Sequence, residues 1–194
     1  ERARLMMRNI PRFGSGGAPA DDWAKRISDT FTQTVRKESR SRSFMIIPGL
    51  FSWASQGDFG KILGATPNGR HAGDPVSHGP NPAPGFNRGK GGTPTQMVVA
   101  VASVQPGFGN TAPLQLDMDP NMGQDEGGLE KVEALIRSYF DLGGTLVNMN
   151  VLNKDTILAA HKNPSQYPDL IVRVTGFSAY FANLSEDLRQ LVVD

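Results

Sequence analysis

Ile171-Val172-Arg173-Val174-Thr175-Gly176-Phe177-Ser178-Ala179-Tyr180-Phe181 is the stretch on which the reading of this chain turns. A β-branched apolar run (Ile171, Val172, Val174) leads into a single glycine. A second apolar cluster (Phe177, Ala179, Tyr180, Phe181) follows at once. A glycine between two hydrophobic runs is not there to keep a loop soluble. It predicts a buried turn in which a Cβ would be in the way. An ordinary strand-to-helix turn is the plainer reading of an isolated glycine.

Working outward, Ile171 to Val174 reads as the strand that delivers Gly176. Ser185-Glu186-Asp187 starts a last helix. Upstream, Asn153 or Asp155 caps a short helix to His161, and Asn163-Pro164 turns the chain. Thr145 to Leu152 predicts a strand with Asn148 and Asn150 on one face and Met149 on the other. Leu129, Val132, Ile136, Tyr139 and Phe140 mark an amphipathic helix closed by Gly143-Gly144. Thr111 to Met118 reads as extended, and Thr95 to Val104 is apolar with helix and strand both open. Trp23, Ile27, Phe31 and Val35 put an apolar stripe on a helix. Asp21 and Asp22 are placed at that helix's N-cap and first turn, and Arg36 and Lys37 in its last turn. Phe44 to Ile47 reads as a short buried strand stopped by Pro48-Gly49. The alternation of strand and helix in the second half predicts α/β packing.

Arg173 through Phe181 fit the pattern Arg-Val-x-Gly-(Tyr/Phe)-(Ser/Ala/Thr)-x-x-Phe at every fixed position. The stretch resembles the radical-bearing loop of the glycyl radical enzymes, the superfamily of pyruvate formate-lyase, glycerol dehydratase and arylacetate decarboxylases. Two further segments resemble the same superfamily. Gly64-Ala-Thr-Pro-Asn-Gly-Arg-His-Ala-Gly-Asp-Pro75 is close to its Ala-Thr-Pro-(Asp/Asn)-Gly-Arg signature. Pro11-Arg-Phe-Gly14 is close to its Pro-(Lys/Arg)-(Phe/Tyr)-Gly segment, although Ser15-Gly16 replace Asn-Asp. The chain departs from the pattern at Val76-Ser-His-Gly79, where most dehydratase-like members carry Leu-Ala-Asp-Gly.

The resemblance implies part of a ten-stranded α/β barrel of the pyruvate formate-lyase type, with a C-terminal glycyl radical loop. Residues 1–150 would belong to the barrel, with a Gly/Pro-rich loop at 64–95, and residues 151–194 to a glycine radical domain. Gly176 would store the radical, with Arg173, Val174, Thr175, Phe177, Ser178 and Phe181 supporting its loop. His78, Asn148 and Asn150 are candidates for the substrate side; for the asparagines a satisfied core amide is an equal reading. A glycine suits the chemistry, because a planar Cα radical delocalised into both flanking peptide groups tolerates no side chain in that plane. The apolar Phe177, Tyr180 and Phe181 would keep oxygen and water from it.

The chain has no cysteine. In the resembled enzymes the glycyl radical draws hydrogen from a cysteine thiol, so the resemblance implies a cysteine outside these 194 residues. The chain opens on Glu1, and Gly176 lies eighteen residues from its end, which predicts the C-terminal segment of a longer enzyme. No cofactor would be bound; an activating enzyme carrying S-adenosylmethionine and an iron–sulfur cluster would install the radical. The reaction would be C–O, C–N or C–C cleavage of a small substrate. Two alternatives stand beside it: a fumarate-adding, alkyl- or arylsuccinate synthase-like enzyme, and a non-catalytic spare-part protein that replaces a damaged glycine loop. The partners implied are the activase, the rest of the barrel and a second copy of the full-length protein, in the cytoplasm of an anaerobic organism.

Composition limits the other classes. Twenty basic and nineteen acidic residues leave a formal charge of +1, no footprint for nucleic acid. Mean hydropathy is −0.34, and no apolar run is long enough for a membrane span. His71 and His78 lack a metal-ligand spacing. Gly85 to Lys90 imitates a phosphate loop but has a spacer one residue short. Asp117 and Asp119 resemble paired carboxylates, and an exposed strand end explains them equally.

Overall fold

The computed structural model describes residues 2–17, 19–83, 93–107, 112–124 and 126–193. Among these, β1 (Leu114–Met118), helix α5 (Gly128–Asp141) and β2 (Val147–Val151) make a parallel strand–helix–strand unit. The strands pair from Leu114↔Val147 to Met118↔Val151. On β1, Leu114, Leu116 and Met118 alternate inward. Helix α4 (Pro94–Ser103) packs beneath them, and its Val98, Val101 and Ala102 join Tyr139 of α5 in one core.

Local chemistry explains why the apolar Thr95–Val104 stretch is a helix. Pro94 sits in its first turn, and Thr93 forms a capping box with Gln96, the two reciprocal hydrogen bonds being 3.3 and 3.0 Å. The end of α5 is set in the same way. Gly143 has φ +99°, and the Gly144 N–H donates to the Tyr139 carbonyl at 2.8 Å, a Schellman closure. A Cβ on Gly144 would stand 2.3 Å from the Tyr139 ring, so this glycine also makes room for the core.

The second core lies under the glycine stretch. Strands β3 (Ile171–Val174) and β4 (Phe177–Tyr180) form an antiparallel hairpin. Val172 and Val174 pack on α6 (Lys154–Lys162) and α7 (Glu186–Val193), with Ile157, Ala160, Phe181 and Leu184. Asn153 caps α6, its Oδ1 accepting the N–H groups of Asp155 and Thr156 at 3.0 and 3.1 Å. Strand β4 has no counterpart in the sequence reading.

Helix α2 (Pro19–Arg40) starts before the expected Asp21 cap. Asp21 lies in its first turn and accepts the Gly14 N–H at 2.7 Å. The stripe side of α2 is the unexpected one. Trp23, Ile27 and Phe31 are exposed, whereas Ser28 and Thr32 are buried, Ser28 donating to the Val104 carbonyl at 2.7 Å. Phe44 to Ile47 is no strand, and Phe44, Met45 and Ile47 are exposed. Their apolar character asks for a cover that the described residues do not supply. Two short helices, α1 (Arg2–Arg8) and α3 (Gln56–Lys61), flank α2 in the chain. No helix among the described residues is long and apolar enough to cross a membrane.

Candidate functional site

The hairpin turn is two residues long, Thr175 and Gly176, between the paired Val174 and Phe177. Both turn residues have positive φ, 25° and 106°, as the type I′ two-residue hairpin turn requires. Glycine meets that requirement freely. The buried turn expected from the flanking sequence is therefore corrected. Gly176 is exposed, and a Cβ built there meets nothing within 4 Å. Left-handed backbone, and not crowding, is what asks for glycine here. The expected apolar wall is only partly present: Phe181 is fully buried, while Phe177 and Tyr180 are 43% and 48% exposed. Thr175, β-branched and left-handed, is an outlier. Its side chain is buried, and its Oγ1 has no hydrogen-bond partner.

Polar side chains tie the outer face of β3 to β2. The Arg173 Nε donates to Asn148 Oδ1 at 2.9 Å, and one guanidinium nitrogen reaches Ser178 Oγ across the hairpin at 3.3 Å. Asn150 grips the Arg173 backbone on both sides. Its Nδ2 donates to the Arg173 carbonyl at 2.9 Å, and its Oδ1 accepts the Arg173 N–H at 2.5 Å. Behind them stand the register partners on β1: Asn148 Nδ2 donates to Gln115 Oε1 at 2.5 Å, and Asn150 Nδ2 donates to Asp117 Oδ1 at 2.9 Å. The surrounding protein raises the Asp117 pKa above its ordinary value, and the Asn150 hydrogen bond partly offsets this. Asp119 is not its catalytic pair; it caps the turn that follows by accepting the Asn121 N–H at 2.8 Å.

The glycine-rich loop joins the same ladder. Asn81 is buried; its Nδ2 donates to the carbonyls of His78 and Pro113, and its Oδ1 accepts the Gln115 N–H at 2.8 Å. Burial lowers the His78 pKa, partly offset by a hydrogen bond to the Trp53 carbonyl, and its Nε2 is buried without a partner. The Arg12 guanidinium donates to the Asn68 carbonyl, which brings the Pro11–Gly14 and Gly64–Pro75 segments together. A cavity of about 460 Å³ lies between α3, Gly73, Pro75 and α7, with Lys61 and Asp187 paired at 3.0 Å on its lining. The Gly85–Lys90 stretch lies outside the described residues. Among the described residues no three His, Asp or Glu side chains gather as a metal site.

The "Glycine radical" family model matches residues 76–182, more than half of the chain. This chain belongs to the glycyl radical enzyme family. It is 38% identical over 189 residues to the trans-4-hydroxy-L-proline dehydratase of Clostridioides difficile, covering 97% of this chain and 24% of that protein. It is 32% identical over 191 residues to the isethionate sulfite-lyase of Oleidesulfovibrio alaskensis, covering 97% and 23%. The glycerol-bound, B12-independent glycerol dehydratase of Clostridium butyricum superposes with a TM-score of 0.82 at 31% identity, covering 99% of this chain and 24% of that one. The chain thus spans about a quarter of the length of these relatives, and it corresponds to the C-terminal part of their pyruvate formate-lyase-type barrel.

Sequence reasoning named Asn148, Asn150, Arg173 and Ser178, and the structure brings these four together. It missed Gln115, Asp117 as a partner of Asn150, and Asn81. The alternation on β1 placed Gln115 and Asp117 on one face and so held the available signal.

Proposed function

We propose that Gly176 stores the radical of a glycyl radical enzyme that cleaves a C–O, C–N or C–C bond of a small substrate. The observation that carries this reading is the match of the glycine radical family to a segment ending in the β3–β4 hairpin, with Gly176 at its tip and open space beside its Cα. The radical-bearing atom must give up a hydrogen atom to an activating enzyme, and the exposed tip offers that atom. A cysteine thiol outside this cysteine-free chain then returns a hydrogen atom to the Gly176 Cα. Glycine is regenerated and the thiyl radical is left to attack substrate. The named relatives include a sulfite-lyase and dehydratases, which favours cleavage over addition to fumarate. The exposed stripe of α2 favours a segment of a larger barrel over an autonomous spare part. The substrate-side role of His78 rests on its buried, unpartnered Nε2, which in the neutral ring favoured by burial can accept a hydrogen bond.

The test is electron paramagnetic resonance on the full-length protein after anaerobic activation with S-adenosylmethionine and the cognate activase. One α-hydrogen remains on the glycyl radical, so a doublet is expected, collapsing toward a singlet in protein grown on α-deuterated glycine. A radical signal indifferent to that label overturns the assignment.

A further inference from the structure

We propose that Asn148 and Asn150 are positioning residues: together with Arg173 they form a clasp that sets the Thr175–Gly176 turn. This inference rests on the reading of Gly176 as the radical site, and it assigns the asparagines a task other than substrate contact. The two cores each bury one side of their own strands, and β2 and β3 belong to different sheets. No strand ladder joins them. The Asn150 carboxamide takes that place, offering one donor and one acceptor to the Arg173 peptide groups as a neighbouring strand would. Asn148 fixes the other half of the same residue by accepting from its guanidinium, whose far end holds Ser178 on β4. Both strands of the hairpin are therefore held two or three residues from Gly176.

The clasp has something to hold. Thr175 sits in a backbone region unfavourable to β-branched residues, with its hydroxyl unsatisfied. A turn of that kind drifts to a lower-energy shape unless its base is fixed. Hydrogen transfer between Cα and a thiol depends on approach to about 3–3.5 Å, so a small drift of the tip weakens it sharply. Asn148 and Asn150 have their amide groups turned to Gln115, Asp117 and Arg173, which directs them to this work.

The experiment uses the full-length protein with Asn148→Leu, Asn150→Leu and Asn148→Asp. The aspartate keeps the acceptor for Arg173 and loses only the donor to Gln115. Amide hydrogen exchange across residues 171–180, measured before activation, should quicken about ten-fold or more in the leucine variants, as expected for losing a charge-assisted or paired hydrogen bond. It should return close to wild type in Asn148→Asp. After activation, turnover per radical should fall at least as far in the leucine variants and recover in Asn148→Asp. Unchanged exchange in both leucine variants overturns the clasp. So does Asn148→Asp behaving as Asn148→Leu, which marks the site as plain packing. A wild-type protein that yields no glycine doublet sinks the reading of Gly176, and the exchange rates still decide the clasp.

Discussion

The core beneath β1 and β2 and the core beneath β3 and β4 are made from similar residues and finished differently. The first is closed by α4 and α5 around a fully buried Tyr139, whose hydroxyl lies 3.4 Å from the Ala112 carbonyl and whose ring fills the space beside Gly144. The second buries one face of the hairpin on α6 and α7 and leaves the tip, Gly176 and Phe177, in the open. Its other face is held by amide and guanidinium groups. Apolar burial therefore decides where the hairpin sits, and directional polar contacts decide how its tip is set. Burial is non-directional, and the setting of a turn needs direction.

The strongest way to break this comparison is to empty each core. Tyr139→Ala and Phe181→Ala each remove a fully buried ring and should cost about 3–5 kcal/mol by chemical denaturation. If the cores are separate units, exchange protection should fall across β1 and β2 in the first variant and across β3 and β4 in the second. Equal loss over both sheets in either variant contradicts the division.

A smaller effect sharpens it at the tip. Gly176→Ala places a side chain at φ +106° and should cost about 1–2 kcal/mol, confined to the hairpin, as well as abolishing the glycine-centred signal. Alanine there is thus not a silent control, and a full-stability Gly176→Ala would mean the turn is not left-handed. Phe177→Ala, by contrast, removes a half-exposed ring and should stay within about 0.5 kcal/mol.

The pH dependences oppose one another. His78 has a folded pKa below the ordinary 6.5, so the unfolded chain binds more protons in that window. Its contribution is complete above 6.5 and is lost as pH falls toward the folded value. Asp117 has a folded pKa above 3.8, so its contribution is complete below 3.8 and is lost as pH rises through the folded value. Thermal melts from pH 4 to 8 should show the His78 slope flattened in His78→Gln and the Asp117 slope flattened in Asp117→Asn. An unaltered slope in either variant removes that residue from the account. The smallest expected signal is optical. Trp23 and Trp53 are both exposed, so emission from the isolated chain should be solvent-like and shift to the blue when the remaining barrel is supplied in trans.

Much of this was legible from sequence where periodicity was strong. The helices α2 and α5, the cap of α6 and the strand before Gly176 stand where the pattern put them, although Trp23, Ile27 and Phe31 of α2 and Leu129 and Phe140 of α5 are exposed. β4 was not legible, because Phe177 to Tyr180 shows no alternation that separates it from a loop; only pairing to β3 reveals it. Phe44 to Ile47 misled, since apolar residues report a need for burial and not the identity of the cover. The asparagines were seen to share a face. Their partners lie 23 to 33 positions away in sequence, and no local pattern reports such a meeting. The role of Gly176 in the turn was inverted for a related reason: sequence shows what flanks a glycine and not its φ.

Whether the radical resides on Gly176 can be read from mass spectrometry of the activated full-length protein after exposure to air. A Cα radical adds dioxygen, and the backbone breaks at the residue that held it. A radical on Gly176 gives a new C-terminal fragment beginning at Gly176 or Phe177, in activated samples only. A break at another residue, or an intact chain in a sample whose radical has been confirmed and then quenched by oxygen, contradicts it.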